Sequence, residues 1–494
     1  MEPNTRPEGS GMRKVIVVGA GLAGLMVARM LAARGFDVEV LEASSRSGGK
    51  AGADEDGGEW REHGYHIFPA WYANTRALLQ ELGVHLIDLD RWHYIDPGQL
   101  DRPITVRVPD SAGALFETLA HGLLPLSENI LYWYFVLDAL AEPMSRKAFL
   151  DRISRVGLMR SRWYMTDRVA SLEQENILKA SAIPAYEMSA MTARLISGYW
   201  VRRPSPFVSI LPGDLQNQFI LPFERAVRDA GVQIHFGTRV VHVVEGGGEV
   251  ARLKCADGSE YVGDYYVLTT PLEVTRKIIQ GDLQRLDPDL GRFEHLEAAP
   301  MASLHLTLNR RLHNLPAEHV FLHGGRYGLS FIDLTPHWPG LTHTVLSFIS
   351  SNFIPIQDLS ESEQFDLLFE EIQRYLPISA ADVASYTLKS NVEVPLFINT
   401  VGAWPNRPEV RSKRINNLFF AGDWVRNPID LACMEGAISA AIECARQIGL
   451  DAGVTDLPKP KRPEMPSALL LRLAKWGLLP VAVAAWVAAQ FHEA

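Results

Sequence analysis

The chain has 494 residues, of which 47% are hydrophobic and 21% are charged, and its formal net charge is −10. This composition is typical of a folded globular protein with room for two connected domains, and it excludes a disordered chain. The negative net charge gives no overall positive potential that would attract phosphates, so we expect no nucleic-acid partner. Three cysteines without metal-like spacing exclude a disulfide framework and indicate a reducing, cytoplasmic compartment. Residues 1–13 show no secretory signal pattern, which agrees with that compartment.

The first predicted strand runs into a glycine-rich turn within residues 15–24, and a helical pattern follows. Gly19 permits the turn, Gly21 lets the backbone approach a pyrophosphate, and Gly24 lets the helix pack close to the strand. The phosphates would lie at the helix N-terminus, where free N–H groups and the helix dipole favour negative charge. Glu42 ends the second predicted strand, where it can accept hydrogen bonds from an adenosine ribose. The sequence therefore predicts a dinucleotide site.

Residues 42–50 continue this pattern with Arg46 and a second glycine pair, Gly48 and Gly49. This run resembles the start of the FAD-binding region in the flavin amine oxidase and carotenoid desaturase superfamily. In that superfamily the second glycine pair brings backbone against the cofactor again, which a plain NAD dehydrogenase does not need. The resemblance therefore implies FAD as the cofactor. A flexible loop, favoured by the three serines of the run, is the alternative.

The nucleotide-binding fold is predicted to be split over three segments, 13–107, 207–285 and 405–449. In the second of these segments, strand-like alternation is followed by three glycines at 246–248. We interpret these glycines as a hairpin turn, because no helix follows them as it would follow a phosphate loop.

Two further segments, 108–206 and 286–404, are predicted to form a substrate domain. The first is helix-rich, and the second contains strand patterns such as those at 302–308 and 344–349. Strands in one insertion and helices in the other predict a mixed sheet covered by helices, with a pocket against the dinucleotide domain. The predicted fold class is α/β, a split Rossmann-like FAD-binding domain with an inserted α+β substrate domain.

The third dinucleotide segment contains an apolar strand that ends at Gly422 and Asp423, followed by a helix pattern from Met434. In FAD enzymes of this type the aspartate hydrogen-bonds the ribityl or pyrophosphate part of the cofactor. The next helix points its N-terminus at the flavin ring, where its dipole can stabilise charge on the reduced flavin. An ordinary turn at a strand end is the alternative.

Several segments together resemble the plant- and cyanobacterial-type phytoene and ζ-carotene desaturases. Residues 62–74 resemble that family's acid–x–Gly–x–His–Ile–Phe segment beside the flavin, and the runs at 394–408, 422–423 and 434–437 match in order and spacing. The resemblance extends from about Val15 to Ile448. One departure is Trp71, which stands where a small, glycine-containing stretch is expected and would reshape the pocket.

This resemblance implies an FAD-dependent desaturase of a long apolar, carotenoid-like isoprenoid, acting on CH–CH groups in carotenoid biosynthesis. A hydride would pass from an allylic C–H to flavin N5, and a proton would leave the neighbouring carbon. Such chemistry requires little from side chains. We therefore assign no catalytic residue, and His66 and Trp71 are candidate pocket residues. The candidate cofactor-binding residues are Gly19, Gly21, Gly24, Glu42, Ala43, Arg46, Gly49, Lys50, Gly64, His66, Val240, Gly422, Asp423 and Met434.

No second strand–glycine–helix unit for NAD(P)H is evident, so the flavin would be reoxidised by a quinone or by dioxygen. No metal-ligand cluster stands out, and we expect no metal. Other functions remain open. A flavin oxidase of amines would line its pocket with aromatic residues and release hydrogen peroxide, and an oxidoreductase of squalene-like or fatty-acyl lipids would keep an apolar substrate. A flavin-dependent isomerase would consume no electron acceptor.

The C-terminal segment, 450–494, begins with a stiff basic linker at 457–463 and continues as an apolar helix pattern. Its uninterrupted apolar part, 476–491, is shorter than the roughly 20 residues needed to span a bilayer. Trp476 and Trp486 suit a membrane interface, and the basic linker suits anionic head groups. We therefore predict an in-plane anchor and peripheral membrane association. A helix docked on the protein's own body or on a dimer partner, and a tilted span, are the alternatives.

Overall fold

The computed structural model describes residues 12–56, 59–62, 64–107, 111–120, 122–202 and 205–491. Residues 1–11 of the expected leader and His63 lie outside these ranges. The strands are β1 (Lys14–Val18), β2 (Asp37–Leu41), β3 (Ala53–Asp56), β4 (Glu59–Glu62), β5 (Ile87–Leu89), β6 (Trp92–Ile95), β7 (Ile104–Val106), β8 (Val208–Ile210), β9 (Gln233–His235), β10 (Val240–Gly246), β11 (Glu249–Cys255), β12 (Glu260–Tyr261), β13 (Tyr265–Leu268), β14 (Glu297–Ala299), β15 (Ala302–Leu308), β16 (His319–Leu322), β17 (Leu329–Asp333), β18 (Val345–Ser350), β19 (Val383–Ser390), β20 (Leu396–Ile398) and β21 (Leu418–Phe420). The helices are α1 (Leu22–Ala32), α2 (Ala73–Glu81), α3 (Ala112–Ala120), α4 (Leu126–Ala141), α5 (Lys147–Asp151), α6 (Arg155–Arg160), α7 (Asp167–Ser181), α8 (Ala190–Arg202), α9 (Leu221–Asp229), α10 (Leu272–Ile278), α11 (Asp282–Leu286), α12 (Glu361–Gln373), α13 (Met434–Asp451), α14 (Ala468–Gly477) and α15 (Leu479–Gln490).

A five-stranded parallel sheet forms the dinucleotide-binding part, in the order β21, β13, β1, β2, β9. Its strands come from three separated regions of the chain, and the predicted split Rossmann-like fold is therefore confirmed. The central strand is β1, and its residues 15–18 are all buried. Such continuous apolar runs are expected where helices cover both faces of a parallel sheet. The predicted hairpin is confirmed as well, since β10 and β11 pair antiparallel around the turn at Gly247 and Gly248.

A second sheet of seven strands belongs to the inserted part, in the order β19, β15, β18, β17, β16, β6, β7. Its last two strands lie within residues 92–106, which the sequence analysis assigned to the dinucleotide-binding domain. β6 pairs parallel to β16, which lies more than two hundred residues later in the chain. No local pattern in residues 92–106 reports that pairing, because it depends on how the distant strand is placed.

The two faces of this seven-stranded sheet differ in chemistry. One face packs against α12 through large aliphatic and aromatic residues, among them Leu304, Leu306, Leu346, Phe348, Leu368 and Ile372. The opposite face carries the alternate residues of the same strands. On that face His305 and Ser347 are cross-strand neighbours, and so are Ser303 and Ile349. The polar face is turned toward the segment that follows β4.

The C-terminal segment docks on the helical insertion. Helices α14 and α15 both pack along α4, and Lys475 forms an ion pair with the buried Asp138 at 2.6 Å. Ala482, Ala485 and Ala489 are buried in a cluster that includes residues of α4. Among the described residues, no single helix has the length and hydropathy to cross a bilayer. The pair α14 and α15 reaches that length and composition only together, and it bends by 51°.

Candidate functional site

The turn between β1 and α1 has the geometry that a phosphate-binding loop requires. Gly19 has a φ of +106°, which L side chains rarely adopt. A Cβ on Gly24 would lie 1.9 Å from the carbonyl oxygen of Gly19, so the helix can pack here only without a side chain. At Gly21, in contrast, the nearest atoms to such a Cβ lie 3.9 Å away. A Cβ at Gly21 would therefore make only ordinary van der Waals contacts within the protein, and the absence of a side chain lets a ligand approach the backbone beside the helix N-terminus.

The second glycine pair lies directly against this loop. The Gly48 N–H donates to the Ala20 carbonyl at 2.9 Å, and Gly48 forms an isolated parallel bridge with Gly21. Both Gly48 and Gly49 have positive φ, at +118° and +58°. The two glycine motifs thus build one backbone surface, as the resemblance to FAD enzymes implies.

Glu42 lies at the edge of the same surface. Its Oε2 accepts a hydrogen bond from the Ala20 N–H at 2.7 Å, and its Oε1 accepts one from the Ser44 N–H at 2.8 Å. A carboxylate offers about four acceptor positions, so two remain for ribose hydroxyls. Ala43 is exposed beside it, and Val240 is buried at the start of β10.

Arg46 and Lys50 contact protein groups in this structure. Arg46 pairs with Asp54, which also receives a hydrogen bond from Lys389 at 3.0 Å. Burial opposes the ionisation of Asp54, but the hydrogen bonds from these two cations prevail and lower its pKa to about 2. The Lys50 ammonium donates to the Pro395 carbonyl at 2.8 Å. Both predicted residues therefore hold the second glycine loop against the substrate domain.

The other half of the predicted cofactor site lies between β21 and α13. Gly422 has a φ of +150°, and Asp423 follows it half-buried. Helix α13 begins at Met434, where the predicted helix begins, and Cys433 precedes it as the N-cap. Burial raises the pKa of the Cys433 thiol to about 12, so this cysteine is a neutral packing group.

Arg407, to which the sequence analysis assigned no role, holds the loop between β21 and α13 in place. Arg407 is buried and pairs with the buried Asp430. Its guanidinium donates to three successive backbone carbonyls, those of Asp423, Trp424 and Val425, at 2.9, 3.0 and 2.6 Å. Arg407 lies within the run at 394–408 that carries the family resemblance. Its three acceptors belong to another loop, so no pattern near Arg407 in the sequence indicates this role.

A cavity lies between the polar face of the seven-stranded sheet and the segment that follows β4. It comprises about 320 Å³ of space, open solvent at its mouth included. Its lining residues are Glu62, Tyr65, His66, Ile210, Leu211, Gly213, His305, Leu334, Trp338 and Ser347. The cavity thus lies between the seven-stranded sheet and residues of the dinucleotide segments, and the predicted residue His66 is among its lining residues.

Glu62 and His66 form a pair at this cavity. The His66 Nδ1 lies 3.0 Å from Glu62 Oε2, and the Leu215 N–H donates to Glu62 Oε1 at 2.5 Å. Between them Gly64 has a φ of +153°, and a Cβ there would lie 3.2 Å from Ile349 on the sheet. Glu62 is the acid at the start of the segment 62–74 that resembles the desaturase family. From the sequence alone we assigned no role to this acid.

Trp71 is not among the residues that line this cavity. It is buried and packs against Tyr72, Tyr199 and Trp200, with ring centroids 4.6, 5.1 and 6.0 Å away. Its indole N–H has no hydrogen-bond partner within the described ranges. The expected reshaping of the pocket by Trp71 therefore does not occur at this cavity.

These residues fit FAD. The double glycine loop and the adjacent helix N-terminus suit a pyrophosphate, and the acceptor positions left on Glu42 suit a ribose. Within the described part of the chain, the Asp423 carboxylate has no side-chain or backbone donor, so it is available to a ligand. No group of three or more His, Cys, Asp or Glu side chains that could hold a metal ion occurs among the described residues.

Comparison with known proteins agrees with this geometry. The chain is 26% identical over 460 residues to the 15-cis-phytoene desaturase of Solanum lycopersicum, covering 89% of this chain and 78% of that protein. It is 24% identical over 455 residues to the 15-cis-phytoene desaturase of Synechococcus elongatus, covering 86% and 93%.

Solved structures share the fold at lower identity. An engineered triple mutant of putrescine oxidase superposes with a TM-score of 0.70 at 17% identity, covering 89% of this chain and 99% of that one. Cyclohexylamine oxidase from Brevibacterium oxydans superposes with a TM-score of 0.67 at 16% identity, covering 90% and 100%. The family model for flavin containing amine oxidoreductases matches residues 22–154 and 216–449. The chain therefore belongs to the flavin-containing amine oxidoreductase family, and it is an FAD-dependent oxidoreductase.

Proposed function

We propose that this FAD-dependent oxidoreductase desaturates a long apolar, carotenoid-like isoprenoid and is reoxidised by a quinone or by dioxygen. The observation that carries this proposal is the likeness to phytoene desaturases, which spans 89% of the chain and most of those relatives. A likeness confined to the dinucleotide fold would support the cofactor alone.

The residues of the site fall into a group at the cofactor and a group at the cavity. The double glycine loop, Glu42 and Asp423 would hold the cofactor, and FAD bound there would supply the hydride acceptor. Ile210, Leu211 and Leu334 give the cavity apolar walls that exclude water and orient a hydrocarbon chain.

The outer face of the C-terminal helices supports peripheral association with the cytoplasmic face of a membrane. While the inner face of α14 and α15 packs on α4, the outer face leaves large apolar side chains in solvent. Trp476 is 68% exposed and Phe491 is 79% exposed. The other strongly exposed apolar residues of α14 are Leu469, Leu470 and Leu473. An amphipathic surface of this kind lies in the interface plane, since charged and docked groups occupy its other side.

Basic residues of the linker stand next to this surface in sequence. Lys459, Lys461 and Arg462 are exposed, although the backbone of Lys461 is hydrogen-bonded to the Asn74 side chain. Each exposed cation near anionic lipid contributes about 1 kcal/mol. We therefore expect binding to anionic vesicles with an apolar part that resists salt and an electrostatic part that does not.

The desaturase proposal is tested by anaerobic mixing of the FAD-loaded protein with phytoene or ζ-carotene in detergent micelles. Bleaching of the flavin and formation of a more conjugated product are the expected results. Putrescine and cyclohexylamine serve as comparison substrates in parallel. Bleaching by either amine with no response to the polyenes would make the protein an amine oxidase and overturn the proposal.

The membrane proposal is tested by liposome flotation of Leu470→Glu/Leu473→Glu protein. These substitutions face solvent, whereas deleting the segment would also remove the contacts of Lys461 and Lys475 with the body. The matched control is Val262→Glu, at a 61% exposed position beyond β12. Reduced flotation of the double variant alone supports the anchor. Equal flotation of all three proteins would place the membrane contact elsewhere or remove it.

A further inference from the structure

The Glu62–His66 pair has the arrangement of an oriented base. An ionised carboxylate only accepts hydrogen bonds, so the proton of this contact belongs to His66 Nδ1. When the imidazole is neutral, its other ring nitrogen, Nε2, carries the lone pair. Within the described residues no partner is found for His66 Nε2. His66 lines the cavity, so this lone pair belongs to a side chain that a bound substrate would touch.

Glu62 is fixed from two sides, which prevents the pair from rotating as a unit. Its carboxylate is held by the Leu215 N–H, and its own carbonyl accepts hydrogen bonds from Ser303 Oγ and His305 Nε2, both at 3.3 Å. The chain passes from Glu62 to His66 through Gly64, which lies closely against the sheet. A base whose orienting carboxylate is held in this way keeps one tautomer and one direction.

A second histidine–glutamate pair in the molecule shows the contrast. His93 lies 2.8 Å from Glu318 through Nε2 and 3.0 Å from Thr105 Oγ1 through Nδ1, so both of its nitrogens are engaged. His93 is buried and does not line the cavity. This pair is a structural contact of a kind common in folded proteins. His93 therefore provides a matched control for substitutions of His66.

We propose that His66 is the catalytic base that removes the proton in the dehydrogenation, with Glu62 as its positioning residue. The proposal rests on the proposed function. Two C–H bonds break and one C=C bond forms. The bound FAD would accept the hydride and be reduced by it, and the proton of the adjacent carbon would pass to His66 Nε2. Glu62 stabilises the resulting imidazolium, and the proton then leaves to solvent at the mouth of the cavity.

The activity test uses His66→Ala and the control His93→Ala, each loaded with FAD and mixed anaerobically with phytoene and with ζ-carotene. General-base catalysis contributes about 10²–10⁴-fold, so flavin reduction in His66→Ala should slow by that factor. Imidazole added to the buffer should restore part of the rate in His66→Ala. The reduction rates are compared at equal FAD occupancy, and His93→Ala should reduce its flavin at a normal rate.

A second readout is independent of turnover. Diethyl pyrocarbonate reacts with the lone pair of a neutral imidazole, so peptide mapping by mass spectrometry should find His66 modified and His93 unmodified. An unmodified His66, or an unchanged reduction rate in FAD-loaded His66→Ala, would each overturn the assignment of the base. If neither polyene bleaches the flavin of the unmodified protein, the proposed function itself fails and the base assignment falls with it.

Discussion

The two sheets of this molecule meet their ligands in different ways. At the end of the parallel sheet the cofactor site is mostly backbone: two glycine loops and the N-termini of α1 and α13, with the carboxylates of Glu42 and Asp423 beside them. At the seven-stranded sheet the cavity is built from side chains, with His305 and Ser347 facing Glu62 and His66 across it. The first site recognises phosphate and ribose, which are common to every FAD enzyme. The second site is the one at which, under the proposed function, side-chain differences would select a substrate.

The difference also affects how each site tolerates change. A site built from backbone groups loses its ligand when a substitution adds an atom that displaces the chain. A site built from side chains loses only the interaction of the substituted residue. The buried hub at Arg407 lies between these cases, because one side chain fixes the path of three backbone carbonyls.

The largest effect is expected at Gly24. In Gly24→Ala the new Cβ would lie 1.9 Å from the Gly19 carbonyl oxygen, so the phosphate loop must move. We expect this variant to purify without flavin, as measured by the absorbance ratio of flavin to protein. The control is Gly113→Ala in α3, where a Cβ has open space. Full flavin occupancy in Gly24→Ala would contradict the role of this loop.

Arg407→Met should have the next largest effect. It leaves Asp430 buried without its cation, which costs about 3–5 kcal/mol of unfolding free energy. Urea unfolding of the apoprotein measures the loss, and FAD content should fall with it because the loop at 423–425 is released. Adding Asp430→Asn should recover part of the stability. Arg411→Met, at a partly exposed ion pair, should change stability by less than about 1 kcal/mol.

Glu42→Ala tests one of the two carboxylates of the cofactor site. Loss of a hydrogen bond to a charged group costs about 1.5–3 kcal/mol, which is roughly ten- to more than a hundredfold in FAD affinity. Asp423→Ala should act similarly through the other half of the cofactor. Titration of the apoproteins with FAD measures both, with Glu39→Gln on the same strand as the control. Unchanged affinity in both variants would show that the cofactor site is misassigned.

The smallest effect concerns pH and the polar face of the second sheet. Burial lowers the pKa of His319 to about 3, and its Nε2 lies 2.5 Å from the Tyr65 hydroxyl. Between pH 6.5 and 3 the unfolded chain binds a proton at this residue that the folded chain does not, so stability falls as the pH is lowered. At pH 5.5 the loss relative to neutral pH is about 1.4 kcal/mol.

Urea unfolding at pH 7.5 and 5.5 measures this loss, with His319→Gln as the comparison. Other titrating groups contribute equally to both proteins, so the difference between their pH slopes reports His319 alone. Identical slopes would show that folding does not lower the pKa of His319.

Local sequence was sufficient for the cofactor half of the molecule. The glycines at 19–24 and 48–49, the acid at the end of β2 and the strand that ends at Asp423 each report their geometry within a few residues. This is possible because a tight turn or a positive φ restricts the residue type at that position itself. The split of the fold, the hairpin at 246–248 and the strands of the insertion follow from equally local patterns.

The remaining features depend on pairings that no local pattern encodes. The division of the chain at residue 107 misses the pairing of β6 with β16, and the predicted anchor does not reveal that α14 and α15 dock on α4. Glu62 and Arg407 acquire their partners from distant loops. Hydrogen bonds between side chains far apart in sequence form only where folding brings them together, and the cavity depends on such contacts. The sequence was therefore enough to identify the cofactor and its loops, whereas the docked tail and the side chains at the substrate cavity required the packing of the whole chain.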